Sequence, residues 1–140
     1  MIDKRYKLEI VTPDKKAYSE QVEFSVFPGT DGELGILADH APLLSRLGPG
    51  VVRVTRNGTV EYFAIAGGFL EVRNNDVSVI AETAEAPLDI DKAVALKQKA
   101  DAEEALKNAA TDALRASANL QLQKAAARVK VAEYAGPAKS

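Results

Sequence analysis

Residues 32–44 have the sequence GELGILADHAPLL and follow a dense turn signal, PGTD at residues 28–31. Two glycines bracket a glutamate and a leucine, and glycine suits a backbone that enters left-handed torsions or approaches another backbone closely. A short apolar run leads to His40, the only histidine of the chain, and then to a proline. We therefore expect a rigid, turn-rich loop that carries an exposed acid, Glu33, and a lone imidazole.

This loop favours an interaction role over catalysis. With one histidine and no cysteine, a zinc site would need a carboxylate-rich ligand set, and none stands out, so no metal is expected. Neither Ser25 nor Ser45 lies in a nucleophile motif. A histidine beside Ala41 and Pro42 is more often a hydrogen-bonded corner residue than a catalyst, and Glu33 is as readily a solvated turn carboxylate as a contact residue.

Length and charge narrow the class of protein. The chain has 140 residues, which suits one domain or a small domain with an appendage. A net charge of −2 gives no reason to expect nucleic acid as a partner. Residues 1–6, MIDKRY, lack the apolar core of a secretory signal. No apolar run approaches the roughly 20 residues that cross a bilayer, so we expect no direct membrane insertion.

The first part of the chain, residues 1–86, reads as short strands separated by turns. The strongest hairpin signal is Asn57-Gly58 between two alternating apolar runs, because a type I′ turn needs positive φ at both central residues. Residues 74–76, NND, separate two further runs in the same manner. Residues 18–27 read as one alternating strand, and Gly67-Gly68 indicates a bulge or a close backbone contact. This spacing predicts a small antiparallel β-sandwich or barrel.

The character of the chain changes near residue 85, and residues 87–140 read as helix. Residues 90–135 contain no glycine or proline and are rich in alanine, lysine, leucine and glutamate. We expect Asp89 to cap the first helix, Asp91 to lie in its first turn, and Gly136-Pro137 to end the last helix. A break at residues 108–111 predicts a hairpin of two helices, with one continuous helix as the competitor. The fold class is therefore α+β in two parts.

Two apolar stripes follow from the helical period. The first comprises Ile90, Ala93, Leu96 and Ala100, with Leu106 to one side, and the second comprises Leu114, Ala118, Leu122, Ala125, Val129 and Ala132. Alanine lets helices approach closely but buries little apolar area, at roughly 25 cal/mol per Å². Pairing of these helices should therefore be weak and easily exchanged for another surface.

Three motifs in this order resemble the epsilon subunit of F-type ATP synthases, of the bacterial or chloroplast type. They are GELGILADHAPL at residues 32–43, AGGFLEV at residues 66–72 and IAETAE at residues 80–85, and the alanine-rich helical end extends the similarity over nearly the whole chain. The resemblance implies a non-catalytic rotor subunit whose β domain binds the gamma subunit and the c-ring. It also implies a peripheral position on the cytoplasmic face of the bacterial inner membrane, or on the stromal face of the thylakoid.

The resemblance assigns the c-ring contact to the 32–40 stretch. Glu33 would be the exposed acid at the polar loops of the c-ring, with Gly32, Asp39 and His40 beside it. For His40, we favour the role of a hydrogen-bonded corner residue over that of a contact residue, and its closeness to the c-ring follows from its position in the chain.

The resemblance also implies a regulatory helical hairpin. In this family the hairpin lies folded against the β domain or extends along gamma, where basic residues approach an acidic segment of the beta subunit, near alpha, and block hydrolysis. The basic residues here are Arg115, Lys124, Arg128 and Lys130. Cations near a helix C-terminus and charges on a solvated helix face explain the same residues without any partner.

Some bacterial members bind ATP between the folded helices through the motif Ile/Leu-Asp-x-x-Arg-Ala. The ungapped match begins at Ile90 and Asp91 and places Val94 where the motif has arginine. A shifted frame offers Lys92, which lacks the planar fork of arginine. Lys124 and Arg128 fall where the basic ligands of the second helix are expected. We therefore expect weak ATP binding or none, and no cofactor.

Two other classes of protein are weighed against this one. A small β-sandwich hydrolase would need an acid pair, a metal cluster or an activated nucleophile; Glu33 with Asp31 or Asp39 is the nearest candidate pair, and turn acids are commoner than catalytic ones. A free-standing ligand-binding module with a dimerising helical tail would need sustained heptads, which the irregular first stripe does not supply.

Overall fold

The computed structural model describes residues 4–134. Its β domain has ten strands: β1 Tyr6–Val11, β2 Lys16–Val22, β3 Phe24–Gly29, β4 Gly32–Leu37, β5 Leu43–Leu47, β6 Gly50–Arg56, β7 Thr59–Ile65, β8 Gly68–Arg73, β9 Asp76–Ala81 and β10 Ala84–Glu85. A 3-10 turn, Pro87–Asp89, leads to two helices, α1 Lys92–Lys107 and α2 Asp112–Glu133. The α+β architecture predicted from the sequence, with a β-sandwich or barrel before a helical hairpin, is confirmed.

The ten strands form one sheet in the order β10-β7-β6-β3-β5-β8-β9-β1-β2, with β4 paired to β3 beside this path. Neighbouring strands are antiparallel with one exception. Strands β1 and β9 run parallel, from Lys7 beside Asp76 to Val11 beside Ile80. The expectation of a purely antiparallel sheet is therefore wrong at this pair. Hairpin turns report only on strands that are adjacent in sequence, whereas β1 and β9 are joined by most of the domain.

The predicted single strand over residues 18–27 is two strands. The chain bends at Glu23, which separates β2 from β3. After the bend, β3 pairs with β4 and β6, while β2 pairs with β1. The predicted alternation across this stretch is consequently wrong, because Ser25 and Phe27 are both fully buried. Ser25 is tolerated there because it shares a hydrogen bond with the buried Tyr6 hydroxyl.

The sheet curls so that strands far apart in its order meet. The Tyr18 ring on β2 packs edge-on against Phe63 on β7, with centroids 5.2 Å apart, and its hydroxyl donates to Glu61 at 2.7 Å. The core lies inside this curl. Its largest fully buried side chains are Tyr6, Phe27, Leu8, Ile10, Ile36, Ile65, Leu70, Val22, Val52, Val54, Val77 and Val79.

The turn chemistry follows the sequence closely. Asn57 and Gly58 have φ of 53° and 77°, as a type I′ turn requires. The close backbone contact expected at Gly67-Gly68 is confirmed. A Cβ on Gly68 would collide with the Ile80 carbonyl oxygen and lie 2.9 Å from the Ala81 Cα.

The expected loop over residues 32–44 is correct only in its middle. Residues Gly32–Leu37 form β4, which pairs with β3. Gly32 lies opposite Gly29 at one end of this pair, and Leu37 lies opposite Phe24 at the other end. Leu34 and Ile36 alternate toward the core, so the apolar run is a strand pattern and not a loop pattern. The turn-rich part is confined to residues 38–42.

The start of the first helix differs from the prediction, and the break between the two helices agrees with it. Asp91, not Asp89, caps α1, since its Oδ1 accepts the Val94 N–H at 3.2 Å. Asp89 lies in the 3-10 turn, where its carboxylate accepts the Ala86 N–H at 3.1 Å. The predicted break at residues 108–111 is confirmed, and Thr111 caps α2. The predicted stop at Gly136-Pro137 lies outside the described residues.

The stripe predicted for the first helix is wrong except at Ile90, which is buried just before α1, and most of the stripe predicted for the second helix is right. Ala93, Leu96 and Ala100 are exposed, whereas Ala95 and Ala102 are buried. Alanine on every side of α1 leaves its apolar face ill-defined by periodicity. In the second helix the predicted stripe is buried except for Leu114, which is exposed, and Leu122, which is half-buried.

Candidate interaction surfaces

The hairpin formed by α1 and α2 is docked on the sheet. Helix α2 packs against α1 on one side and against β6 and β7 on the other. The buried contact comprises Ala64, Ile90, Ala95, Ala127, Val129, Val131 and Ala132, with Val51 and Tyr62 at its edge. The helix residues of this contact are the alanines Ala95, Ala127 and Ala132 and the valines Val129 and Val131. The docked face is therefore built from small and medium-sized apolar side chains.

An aromatic stack closes one end of this contact. The Tyr134 ring, just past the end of α2, lies parallel to the Tyr62 ring of β7, with centroids 3.5 Å apart. The stack fixes the end of α2 on the sheet.

Arg128 joins three elements. Its Nε donates to Glu85 Oε1 at 2.9 Å and its Nη2 donates to Glu85 Oε2 at 3.2 Å. The guanidinium therefore forms a bidentate pair with the carboxylate of Glu85, a residue of β10. Its Nη1 also donates to the side-chain oxygen of Gln98 on α1. The other predicted basic residues are held less firmly or face solvent. Lys124 lies 3.9 Å from Glu82.

The remaining two predicted basic residues, Arg115 and Lys130, lie on the exposed side of α2. Arg115 forms a local pair with Asp112 at 2.7 Å. Lys130 is exposed in the last turn of the helix. The structure thus brings only Lys124 and Arg128 of the four toward the sheet.

A cavity of about 750 Å³ lies between the hairpin and the sheet. Lys124 and Arg128 line it together with Glu82, Glu85 and Asp101. Ile90 and Asp91, the other two residues of the candidate ATP site, do not line it: Ile90 is buried in the docked contact and Asp91 is engaged in capping α1. Val94, which stands where the motif has arginine, is about half exposed.

The four candidate c-ring residues lie at the two ends of β4. Gly32 and Glu33 begin the strand, and Asp39 and His40 follow its end, so about 17 Å of strand separates them at 3.3 Å per residue. Glu33 pairs with Arg53 of β6 through two contacts, of 3.1 and 3.4 Å. Both side chains of this pair remain accessible.

At the other end, the turn at Asp39 is held by two partners. Asn75 exchanges hydrogen bonds with Asp39, and Lys4 Nζ donates to Asp39 Oδ2 at 2.8 Å. These bonds, the one from Lys4 first, hold the pKa of Asp39 below its usual range. The His40 Nδ1 lies 2.7 Å from the Ala41 carbonyl oxygen, which is the hydrogen-bonded corner predicted from the sequence.

Sequence reasoning missed an apolar surface on the outer face of β5, β8 and β9. Leu44, Phe69 and Ile80 are 73%, 49% and 62% exposed. Phe69 lies directly between Arg46 and Ile80 in the sheet register, and the Arg46 guanidinium lies 5.6 Å from the Phe69 ring centre. The sequence does contain a signal for this surface. Successive residues of a strand point to opposite faces, so one residue of each adjacent apolar pair must face outward. These pairs are Leu43-Leu44, Phe69-Leu70 and Val79-Ile80.

The comparisons with known proteins cover both parts of the chain. A profile described as the ATP synthase Delta/Epsilon chain β-sandwich domain matches residues 5–87, and one described as the long α-helix domain of the same chain matches residues 89–133. The chain belongs to the ATP synthase delta/epsilon family.

Two relatives in the delta/epsilon family are named epsilon chains, in agreement with the resemblance drawn from the motifs. The ATP synthase epsilon chain of Desulforamulus reducens is 44% identical over 132 residues, 93% of this chain and 98% of that protein. The epsilon chain of Syntrophomonas wolfei is 41% identical over 134 residues, 95% of this chain and 98% of that protein. This chain is thus an epsilon-type member of the family.

Two solved structures share the fold. One is a chain of the Euglena gracilis mitochondrial ATP synthase, OSCP/F1/c-ring in rotational state 1, with a TM-score of 0.76 and 24% identity over 88% of this chain and 78% of that one. The other comes from the central stalk/c-ring of the Tetrahymena thermophila mitochondrial ATP synthase, with a TM-score of 0.62 and 16% identity over 94% of this chain and 99% of that one.

Residues 4–134 of this delta/epsilon-family chain contain no helical membrane span and no cluster of metal-binding side chains. Neither α1 nor α2 is both long and apolar enough to serve as a membrane span. Within the same residues, no three histidine, aspartate or glutamate side chains are grouped as a metal ion would require.

Proposed function

We propose that the chain is a non-catalytic subunit of the central stalk of a proton-translocating F-type ATP synthase. In this role it turns with the rotor, couples rotation of the c-ring to ATP synthesis in the catalytic head, and limits ATP hydrolysis through its hairpin. The observation that carries the proposal is the two-part architecture: a curled ten-stranded domain with an uncovered apolar face, and a hairpin docked on it through alanine and valine side chains and Ile90. Such a chain can hold one partner firmly and still release its helices.

The apolar surface of Leu44, Phe69 and Ile80 is the binding face for the gamma subunit. Three large apolar side chains on one sheet face, with the Arg46 guanidinium over the aromatic ring, have the composition of the buried centre of a protein interface. The strands beneath are fixed by the domain core, so the face is formed before the partner arrives.

The c-ring contact runs along β4. This strand pairs only with β3 among the described residues, so its other edge is available to a partner. Gly32 and Glu33 lie at one end and Asp39 and His40 at the other. Glu33 can exchange its accessible pair with Arg53 for a polar group of the ring at little cost, because exposed ion pairs contribute about 0–1 kcal/mol.

The hairpin is the regulatory part. When it leaves the sheet, Arg115, Lys124, Arg128 and Lys130 present cations to an acidic segment of the beta subunit, beside alpha, and oppose rotation in the hydrolysis direction. A hairpin held by a small apolar face suits this, since a few kcal/mol decide a two-state equilibrium.

ATP binding to the docked hairpin is weak or absent in this proposal. Arg128 is already held by Glu85, Asp91 caps α1, and Val94 supplies no donor to a phosphate. Isothermal titration of the full chain with ATP tests this, and micromolar affinity would overturn it. No cofactor or nucleic acid partner is invoked.

The chain acts as a peripheral subunit, on the cytoplasmic face of the bacterial inner membrane or the stromal face of the thylakoid. Gamma and the c-ring hold it there, with no insertion of its own into the bilayer. The hairpin buries its apolar face against its own sheet. This arrangement does not favour the alternative of a free-standing ligand-binding module, because a dimerising tail would need that face for a second copy.

Deletion of residues 88–140, followed by an assay of the assembled complex, tests the function. The deletion should raise the rate of ATP hydrolysis while ATP-driven proton pumping is retained. Omission of the whole chain should abolish coupled pumping. An unchanged hydrolysis rate after the deletion would refute the inhibitory role, and coupled pumping without the chain would refute the coupling role.

A further inference from the structure

We propose that Arg53 is a second charged residue of the c-ring contact. The ring meets Glu33 and Arg53 together, through a polar surface that places a hydrogen-bond donor beside an acceptor. This inference rests on the c-ring contact proposed along β4 and names the chemistry of the partner surface. It adds a cation from β6, outside the 32–40 stretch to which the resemblance assigns the contact.

Glu33 and Arg53 form an accessible two-point pair that spans strand β3. Arg53 Nη1 donates to Glu33 Oε2 at 3.1 Å, and Nη2 donates to Oε1 at 3.4 Å. In the sheet register Glu33 lies opposite Pro28 of β3, and Arg53 lies opposite Val26 of the same strand. The two charged groups come from strands on either side of β3 and touch above it. A surface that covers one of them therefore covers the other.

Both members of the pair keep hydrogen-bonding capacity for a partner. The Glu33 side chain is 60% exposed and that of Arg53 is 38% exposed. The pair uses Nη1 and Nη2, and Arg53 Nε donates to no other group within residues 4–134. Each carboxylate oxygen of Glu33 accepts one hydrogen bond here and can accept another. The patch thus offers a donor and an acceptor side by side.

An interface that engaged Glu33 alone would leave Arg53 without a partner. Because the two groups lie 3.1 Å apart, docking removes water from both. A guanidinium that loses its water and its carboxylate together is costly to bury. The ring surface that takes Glu33 must therefore supply an oxygen acceptor to Arg53. The same complement fits a pair that stays closed, since its remaining N–H groups and carboxylate lone pairs also lose water.

The pair also determines which surfaces it rejects. A uniformly basic partner surface would attract Glu33 and repel Arg53, and a uniformly acidic one would do the reverse. Like charges placed together in an interface disfavour the wrong partner or the wrong register. The fitting partner is a loop with an amide or cationic donor next to a carbonyl or carboxylate acceptor.

Binding of the purified c-ring in detergent to the full chain, in complex with gamma, tests this inference. The chain carries E33Q, R53Q, both substitutions or the control K97Q. Lys97 is the matched control, because it is an exposed cation that pairs with a carboxylate, Asp101 at 3.2 Å, on α1 and outside the β domain. Circular dichroism and urea unfolding check that each variant keeps its fold.

R53Q should weaken binding of the ring by about tenfold, as expected when one acceptor of an interface is left unpaired, and K97Q should leave it unchanged. R53Q should also weaken binding in the E33Q background, because the acceptor for Arg53 is a separate group of the ring. R53Q binding that equals or exceeds that of the parent chain would overturn the inference, since a cation that only competes for Glu33 should improve binding when it is removed.

The same measurements separate this inference from the proposed function. If R53Q has no effect in the E33Q background, Arg53 acts only through Glu33 and is not a contact residue, which overturns the inference. If E33Q weakens binding and R53Q does not, the contact along β4 stands and the role of Arg53 fails. If E33Q binds the ring like the parent chain, the proposed contact fails and this inference fails with it.

Discussion

Asp39 and Asn75 join two separate turns by hydrogen bonds in both directions. The Asp39 N–H donates to Asn75 Oδ1 at 2.6 Å, and Asn75 Nδ2 donates to Asp39 Oδ1 at 2.9 Å. Both residues have positive φ, 64° and 62°, a conformation that asparagine and aspartate tolerate better than other side chains. The turn after β4 is therefore held by the turn between β8 and β9, and His40 is placed by this link.

Removal of the Asn75 side chain should loosen that turn. N75G keeps a backbone suited to positive φ and deletes both hydrogen bonds, so the free energy of unfolding should fall by about 1 kcal/mol. N74G is the matched control: Asn74 also has positive φ, 52°, and its side chain makes no hydrogen bond within residues 4–134. Urea unfolding of the two variants compares them, and an equal effect of N74G would contradict the assigned role.

The buried Tyr6 hydroxyl should make the domain sensitive to alkali. Burial raises the pKa of Tyr6 to about 12, above the value of about 10 in an unfolded chain. The stabilisation by the protonated hydroxyl is therefore complete below about pH 10 and is lost as the pH rises toward 12. Two pKa units correspond to about 2–3 kcal/mol.

Urea unfolding at pH 9 and at pH 11.5 measures this loss, and Y6F should reduce it. Tyr18 contributes in the same direction, since burial and the hydrogen bond to Glu61 raise its pKa as well. The Y6F chain should thus keep part of the pH dependence. A Y6F chain with the full parental loss between the two pH values would contradict the assignment.

Gly68 should tolerate no side chain. A Cβ there would collide with the Ile80 carbonyl oxygen across the β8–β9 pair, so G68A should lower the free energy of unfolding by about 3 kcal/mol or prevent folding. Gly48 has open space around its Cβ position, so G48A should have little effect. The two variants are compared by thermal unfolding followed by circular dichroism. A mild G68A would show that the contact can relax.

The stack at the end of α2 should contribute to docking through its ring and not its hydroxyl. Ala64 lies buried in the docked contact and the chain has no cysteine, so an A64C chain carries one thiol whose labelling by a water-soluble maleimide reports release of the hairpin. Y134A removes the contact with Tyr62 and its buried apolar area, and should increase this labelling by about threefold. Y134F keeps both rings and should label like the parent chain. Equal protection in Y134A would assign the end of the hairpin to other contacts.

The sequence predicts the structure correctly where a residue type strongly favours one backbone conformation. Asn57-Gly58 correctly indicates the hairpin turn, and Gly67-Gly68 correctly indicates a close backbone contact. Signals that depend on pairing between distant strands were not available, which is why the parallel β1–β9 pair and the bend at Glu23 were missed. Both depend on the tertiary arrangement of the sheet and not on neighbours in the chain.

The helical hairpin shows the same limit. Alanine at many positions of α1 hides which face is buried, so periodicity selected Leu96 where the structure buries Ala95 and Ala102. The candidate basic residues could be named from the sequence, but nothing there separated Arg128, which grips Glu85, from Arg115, which pairs locally with Asp112. That distinction requires the docked geometry.

In the proposed function the outer face of β5, β8 and β9 binds the gamma subunit, and calorimetric titration of the full chain with gamma tests this most directly. We expect a one-to-one complex that I80D weakens by about 100-fold, because the substitution buries a charge at the centre of the interface. L88D is the matched control, because Leu88 is 89% exposed and lies outside that face. Failure of the full chain to bind gamma, or equal affinity of I80D and the parent chain, would refute this binding face.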